Sequence, residues 1–99
     1  MSTTKPPNKE EKKSAIRFAI TEIFNVNRGY RDIFDFSEEE IVEKTIDRLG
    51  PSYFKYDNHK KISIRLWEWY KKRCNEHPEN IYKKIINDLD LNSELDSDL

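Results

Sequence analysis

The chain has 99 residues, 35% hydrophobic and 37% charged, with a net charge of −1, two Gly, four Pro and one Cys. That balance allows one modest core and favours a helical, strongly solvated chain over a turn-rich β fold. A single cysteine excludes an intramolecular disulfide and no apolar run approaches the roughly 18 residues of a membrane span, so the expectation is an intracellular protein, cytoplasmic or nuclear, with no membrane contact.

Residues 1–13 mix two prolines with Lys, Glu and small polar side chains and show no apolar face, so a disordered basic arm is expected there. The opening MSTTKPPNKEEKKS also has no apolar h-region, and Ser2 is not the Gly that myristoylation requires; neither export nor acylation is expected. From Ser14 the pattern turns helical. Ile16, Ala19, Ile20, Ile23 and Phe24 recur at i, i+3, i+4, i+7 and i+8, and the spacing predicts a helix over 13–26 that Gly29 stops. Phe18 points away from that stripe, either into a core wide enough to reach it or onto a small contact surface, and the first is the commoner arrangement.

The segment YRDIFDF reads as an apolar connection or a short helical turn. After it, Ser37 and Glu40 form an S-x-x-E capping box, Phe36 and Ile41 stand at staple positions, and Gly50-Pro51 supplies a stop, predicting a helix over 38–49. Its spacing of Ile41, Val42, Thr45, Ile46 and Leu49 returns as Ile81, Tyr82, Ile85, Ile86 and Leu89 in a last helix over 79–90, opened by Pro78 with His77 or Asn75 as its cap. The two segments EEIVEKTIDRL and ENIYKKIINDL agree at five of eleven positions, which two capped amphipathic helices reach readily without duplication.

Between them lies ISIRLWEWYKKRC, whose first half alternates like a strand. One reading pairs 53–56 with 61–66 in a hairpin across Asp57 to Lys60. At about 100° per residue, however, Ile62, Leu66, Trp67, Trp69, Tyr70 and Cys74 gather within an arc of about 160°, with Lys61, Arg65, Glu68 and Lys72 opposite. The prediction is a helix over 60–75, with a short β segment at 53–56 kept as a possibility. The expected fold is all-α: a compact bundle of four helices in a single domain over 14–91, followed by an acidic disordered tail at 92–99. Burial of Trp67 and Trp69 is expected to contribute several kcal/mol per ring before entropy is subtracted, about 25 cal/mol for each Å² removed from water.

Function is less legible. Cys74 and His77 stand at C-x-x-H spacing, but a closed zinc site needs four ligands and only Asp57 and His59 offer a second pair; the expectation is no metal and no cofactor. There is no Gly-rich phosphate loop, and no nucleophile has an orienting base, so neither an enzyme nor a small-molecule substrate is expected. Charge is uneven: residues 50–77 carry +4 and residues 78–99 carry −4. Lys55, Lys60, Lys61, Arg65, Lys71, Lys72 and Arg73 are the candidates for a nucleic-acid-binding face, with Tyr53, Phe54, Tyr56 and His59 near enough in sequence to stack on bases. The competing expectation is a protein–protein interaction or homo-oligomeric adaptor module, a homodimer included, in which surplus aromatics such as Phe18, Phe34 and Tyr53 make a contact patch.

Overall fold

The computed structural model describes residues 8–29, 35–50 and 53–89. The apolar run at 30–34, Pro51, and the expectations for the two ends at 1–7 and 90–99 lie outside the described residues. Four helices follow one another: α1 (Lys9–Asn27), α2 (Glu38–Asp47), α3 (Tyr56–Lys71) and α4 (Pro78–Asp88), with no strand among the described residues. The all-α bundle is as expected. None of these helices is long and apolar enough to cross a membrane.

The first helix starts at Lys9, ahead of the expected position 13. Asn8 Oδ1 accepts from the Glu11 backbone N–H at 2.8 Å, while the Glu11 carboxylate accepts from the Asn8 N–H at 3.0 Å. This reciprocal cap satisfies two of the orphan donors of the first turn, and the Lys and Glu that follow are good helix formers. Residues 8–13 are therefore ordered, a correction to the expected arm. The α1 stripe, Ile16, Ala19, Ile20, Ile23 and Val26, is buried, and α1 touches each of the other three helices. It is the element around which the rest packs.

At α2 the capping box is present as read: Ser37 Oγ accepts from Glu40 N–H at 3.2 Å and the Glu40 carboxylate accepts from Ser37 N–H at 3.0 Å. Val42, Thr45 and Ile46 face inward, and Thr45 Oγ1 is satisfied by donating to the Ile41 carbonyl at 2.8 Å. The helix ends at Asp47, and the chain turns through Gly50, whose carbonyl accepts from both Tyr53 N–H and Phe54 N–H at 3.0 and 2.9 Å. A Cβ on Gly50 would stand 3.1 Å from the Asp47 carbonyl oxygen, tighter than most Cβ contacts, and at an ordinary 3.6 Å from the His59 ring, so a larger residue there would require a small shift of the turn.

The possible β segment at 53–56 is not formed, and the helix chosen over the hairpin is present. Phe54 is buried and pins the connection to the core, and Tyr56 already opens α3. Alternation in ISIRL was misleading because Ile64 points outward, 49% exposed, while Ile62 and Leu66, four apart, lie fully buried on one helical face.

The third helix also ends earlier than expected, at Lys71 rather than 75. Arg73 and Cys74 adopt φ of 62° and 53°, and their N–H groups return to the carbonyls of Tyr70 and Trp69, both at 2.9 Å. That is the Schellman pattern of helix termination, built here without glycine at the left-handed position. His77 is the cap of α4: its Nδ1 accepts from Glu79 N–H at 3.0 Å, with Pro78 in the first turn. Ile81, Ile85, Ile86 and Leu89 close the core.

The two tryptophans are not equivalent. Trp69 is 3% exposed, stacks on Phe24 of α1 at 6.3 Å, and donates its indole N–H to the Glu76 carbonyl at 2.9 Å; Trp67 is half-buried, edge-on to Tyr70 at 5.7 Å. Trp69→Ala is expected to cost about 3–5 kcal/mol and Trp67→Ala markedly less, read from urea unfolding midpoints. Arg73→Gly should raise stability by up to about 1 kcal/mol, since the left-handed cost of a Cβ exceeds the extra chain entropy of glycine; an unchanged or lowered midpoint would contradict a strained terminus.

Candidate functional site

Of the seven basic candidates, Lys60 and Lys71 border one groove and Arg65 and Lys72 another. Lys55 stands at the N-cap position of α3, and Lys60, Lys61, Lys71, Lys72 and Arg73 are exposed. On the α2 side, Lys60 and Lys71 border a groove with Ile64, Trp67 and the carboxylates of Glu39 and Glu43. The Lys71 ammonium stands 5.8 Å from the Trp67 ring centre, within cation–π range. On the α4 side, Arg65 and Lys72 border a second groove together with Glu68, Glu76 and Lys84.

Arg65 is already occupied. Its Nε and Nη2 donate to Asp88 Oδ2 and Oδ1 at 2.6 and 3.3 Å, a fork that ties α3 to α4 and raises the guanidinium pKa through the hydrogen bond to Asp88. Lys84 is likewise paired with Glu76 at 2.6 Å. Each basic flank therefore carries its own carboxylates. Among the aromatics expected to stack on bases, Phe54 is withdrawn into the core, a correction, and His59 Nε2 lies 3.2 Å from the Ile46 carbonyl, while Tyr56 is exposed.

Cys74 and His77 are spent on structure. Asn27 Nδ2 donates to Cys74 Sγ at 3.3 Å and to the Tyr70 carbonyl at 3.0 Å, joining the end of α1 to the end of α3, and burial pushes the thiol pKa up, away from the reactive thiolate. The His77 ring caps α4. Among the described residues no group of three or more His, Cys, Asp or Glu side chains is placed to hold a metal ion.

Apolar surface also lines a groove away from α3. Between α1 and the C-terminal end of α2 runs a groove of about 520 Å³, floored by Ala15, Ala19, Thr45 and Leu49 and bordered by Phe18, Tyr53, Glu10 and Arg48. Phe18 is 52% exposed and so lies outside the core that was the commoner expectation for it. It and Tyr53 meet on this one groove. The third aromatic of the expected contact patch, Phe34, lies outside the described residues. The signal available in the sequence was the angle of Phe18, on the reverse side of the α1 stripe. That Tyr53 and Leu49 would join it depended on the path of the α2–α3 connection.

Two further ties that the sequence did not disclose hold the helices in place. Arg17 of α1 donates from Nη1 and Nη2 to Glu79 of α4 at 3.0 and 3.3 Å and lies 3.7 Å from the Tyr82 ring centre. The hydrogen bond from Arg17 lowers the Glu79 pKa, with nearby cations adding to it. Tyr70 Oη donates to Glu38 Oε1 at 2.9 Å, tying α3 to the first turn of α2. Comparison with protein-family models, with curated proteins and with solved structures finds no match to this chain.

Burial, and then the bond to Glu38, push the Tyr70 pKa from 10.0 up to about 12. A raised pKa means that the folded state holds the phenol proton more tightly, so this contribution to stability is complete below pH 10 and is lost as pH climbs towards 12. Tyr70→Phe should destabilise by about 1 kcal/mol at neutral pH, and its deficit relative to wild type should narrow across that alkaline window, as measured by urea unfolding at stepped pH. A deficit that stays constant would remove Tyr70 as the titrating group.

Proposed function

We propose that this chain is a small non-enzymatic protein-interaction module that engages a protein partner through the groove between α1 and α2. The observation that carries this reading is Phe18, a large ring left 52% exposed above an apolar floor although four helices were available to bury it. An aromatic anchor beside a concave apolar surface with a charged border is the usual composition of an interface centre. The half-buried thiol of Cys74, the chain's one cysteine, suits a reducing compartment and hence an intracellular partner.

Nucleic-acid association is the rival outcome. Its affinity depends on an array of Lys and Arg that displaces counterions from several phosphates. Here Arg65 is held by Asp88, and Lys60, Lys71 and Lys72 border two grooves that both carry glutamates. A phosphate backbone tracking either groove would meet carboxylates as well as ammonium groups.

The test has two arms. On heparin and on duplex DNA the protein should elute early in a salt gradient, with little change in the Lys60→Glu, Lys71→Glu double variant; late elution abolished by that pair would establish the nucleic-acid reading instead. Peptides selected by display on the folded protein should lose at least about tenfold in affinity on Phe18→Asp. Selected peptides indifferent to Phe18 would sink the assignment to this groove.

A further inference from the structure

We propose that the occupant of the α1–α2 groove is a second copy of this chain, related by a two-fold axis, so that the Phe18 ring of each copy seats beside Tyr53, above Thr45 and Leu49, of the other. The inference rests on the reading of this groove as a protein-docking surface and names its partner.

Two features of the groove are self-complementary. First, the projecting group and the hollow belong to the same face: Phe18 stands on the α1 wall, and the hollow beside it is lined by half-buried Ala15 and Tyr53 with Thr45 and Leu49 buried beneath them. Second, the walls bear opposite charge, Glu10 on α1 and Arg48 at the end of α2, and neither side chain makes a hydrogen bond or ion pair among the described residues. They do not close on one another across the groove.

A two-fold axis lying along the groove, parallel to α1, places the α1 wall of each copy over the α2 wall of the other. Every contact then occurs twice, as an isologous interface requires. Glu10 of each copy faces Arg48 of the other, and each Phe18 enters the other copy's hollow. Had both walls carried the same sign, this arrangement would bring like charges together and be disfavoured. With opposite signs on the two walls, the border charges favour rather than oppose a copy of the same chain.

The test uses the full chain. Its mass by light scattering or sedimentation should rise with concentration from 12.0 kDa towards twice that value. Phe18→Asp, at an exposed position that leaves the core untouched, should weaken self-association by at least about tenfold while the far-ultraviolet spectrum and thermal midpoint stay near wild type. The decisive measurement is a mixture. Arg48→Glu alone sets two carboxylates against each other at both border pairs, and Glu10→Arg alone sets two guanidinium groups against each other there, so each variant should be impaired. Mixed in equal amounts they should form a heterodimer in which one border pair joins the two unaltered residues and the other joins the two substituted ones. Its affinity should exceed that of either variant with itself and return towards wild type.

A wild-type mass that stays at 12.0 kDa up to high concentration overturns the second copy as occupant, and Phe18-dependent peptide binding then still decides the docking surface separately. A dimer that persists through Phe18→Asp, or variants that fail to rescue each other on mixing, overturns the two-fold arrangement.

Discussion

The indole of Trp69 is the point at which this bundle is tied together. One face stacks on Phe24 near the end of α1, and the N–H reaches the Glu76 carbonyl just before α4 begins. A buried indole needs both a large apolar surface and a partner for its one donor. Satisfying both at once fixes where α3 must stop. The left-handed residues Arg73 and Cys74 follow, and the Asn27 amide holds that turn against α1 through the Tyr70 carbonyl and the Cys74 sulfur. Strain at two non-glycine positions is tolerated because the surrounding contacts over-determine the turn.

From this clamp comes the distribution of the surface. With α3 anchored by Trp69 and Tyr70 and crossed to α4 by the Arg65–Asp88 fork, its outer cations are interleaved with the acidic residues of both neighbours. Lys60, Lys71, Arg65 and Lys72 of the block that reads as +4 along the chain thus each have glutamates beside them in space. The central helix has the opposite fate. One side of α1 is consumed by three partners, and the reverse side, with Phe18, is left to water beside the end of α2. Phe18 is one of several large apolar side chains left exposed, with Phe36, Tyr56 and Ile64, and it is the one that borders the groove between α1 and the end of α2.

What was legible at the level of residues was legible for local reasons. Ser37 and Glu40, Pro78 and His77 signal their helix starts because caps are made within three residues of sequence. Asn8 and Glu11 form the same motif, but it precedes the apolar stripe by more than a turn, so hydrophobic period alone places the start too late. The helical period of Ile62, Leu66, Trp69 and Tyr70 outweighed the brief alternation of ISIRL because burial acts on a whole face, not on neighbouring pairs. Two adjoining rings in WEW could not be ranked by period, since about 200° of helical rotation separates them and both border the same wide arc.

The sequence by itself determined that the chain would be all-α, how many helices it would have among its described residues, and the aliphatic stripes that would face inward, though not the placement of Phe18, Phe54 and Trp67, because caps, period and composition are properties of short stretches. Only the tertiary structure decided which cations were already neutralised, where α3 would break, and which ring would be left outside. Arg65 and Asp88 are 23 residues apart, Arg17 and Glu79 are 62 apart, and Phe18 and Tyr53 line one groove because the α2–α3 connection turns at Gly50 and is pinned to the core by Phe54. Interactions at that separation depend on how helices cross, and crossing is set by the fit of side chains across the core.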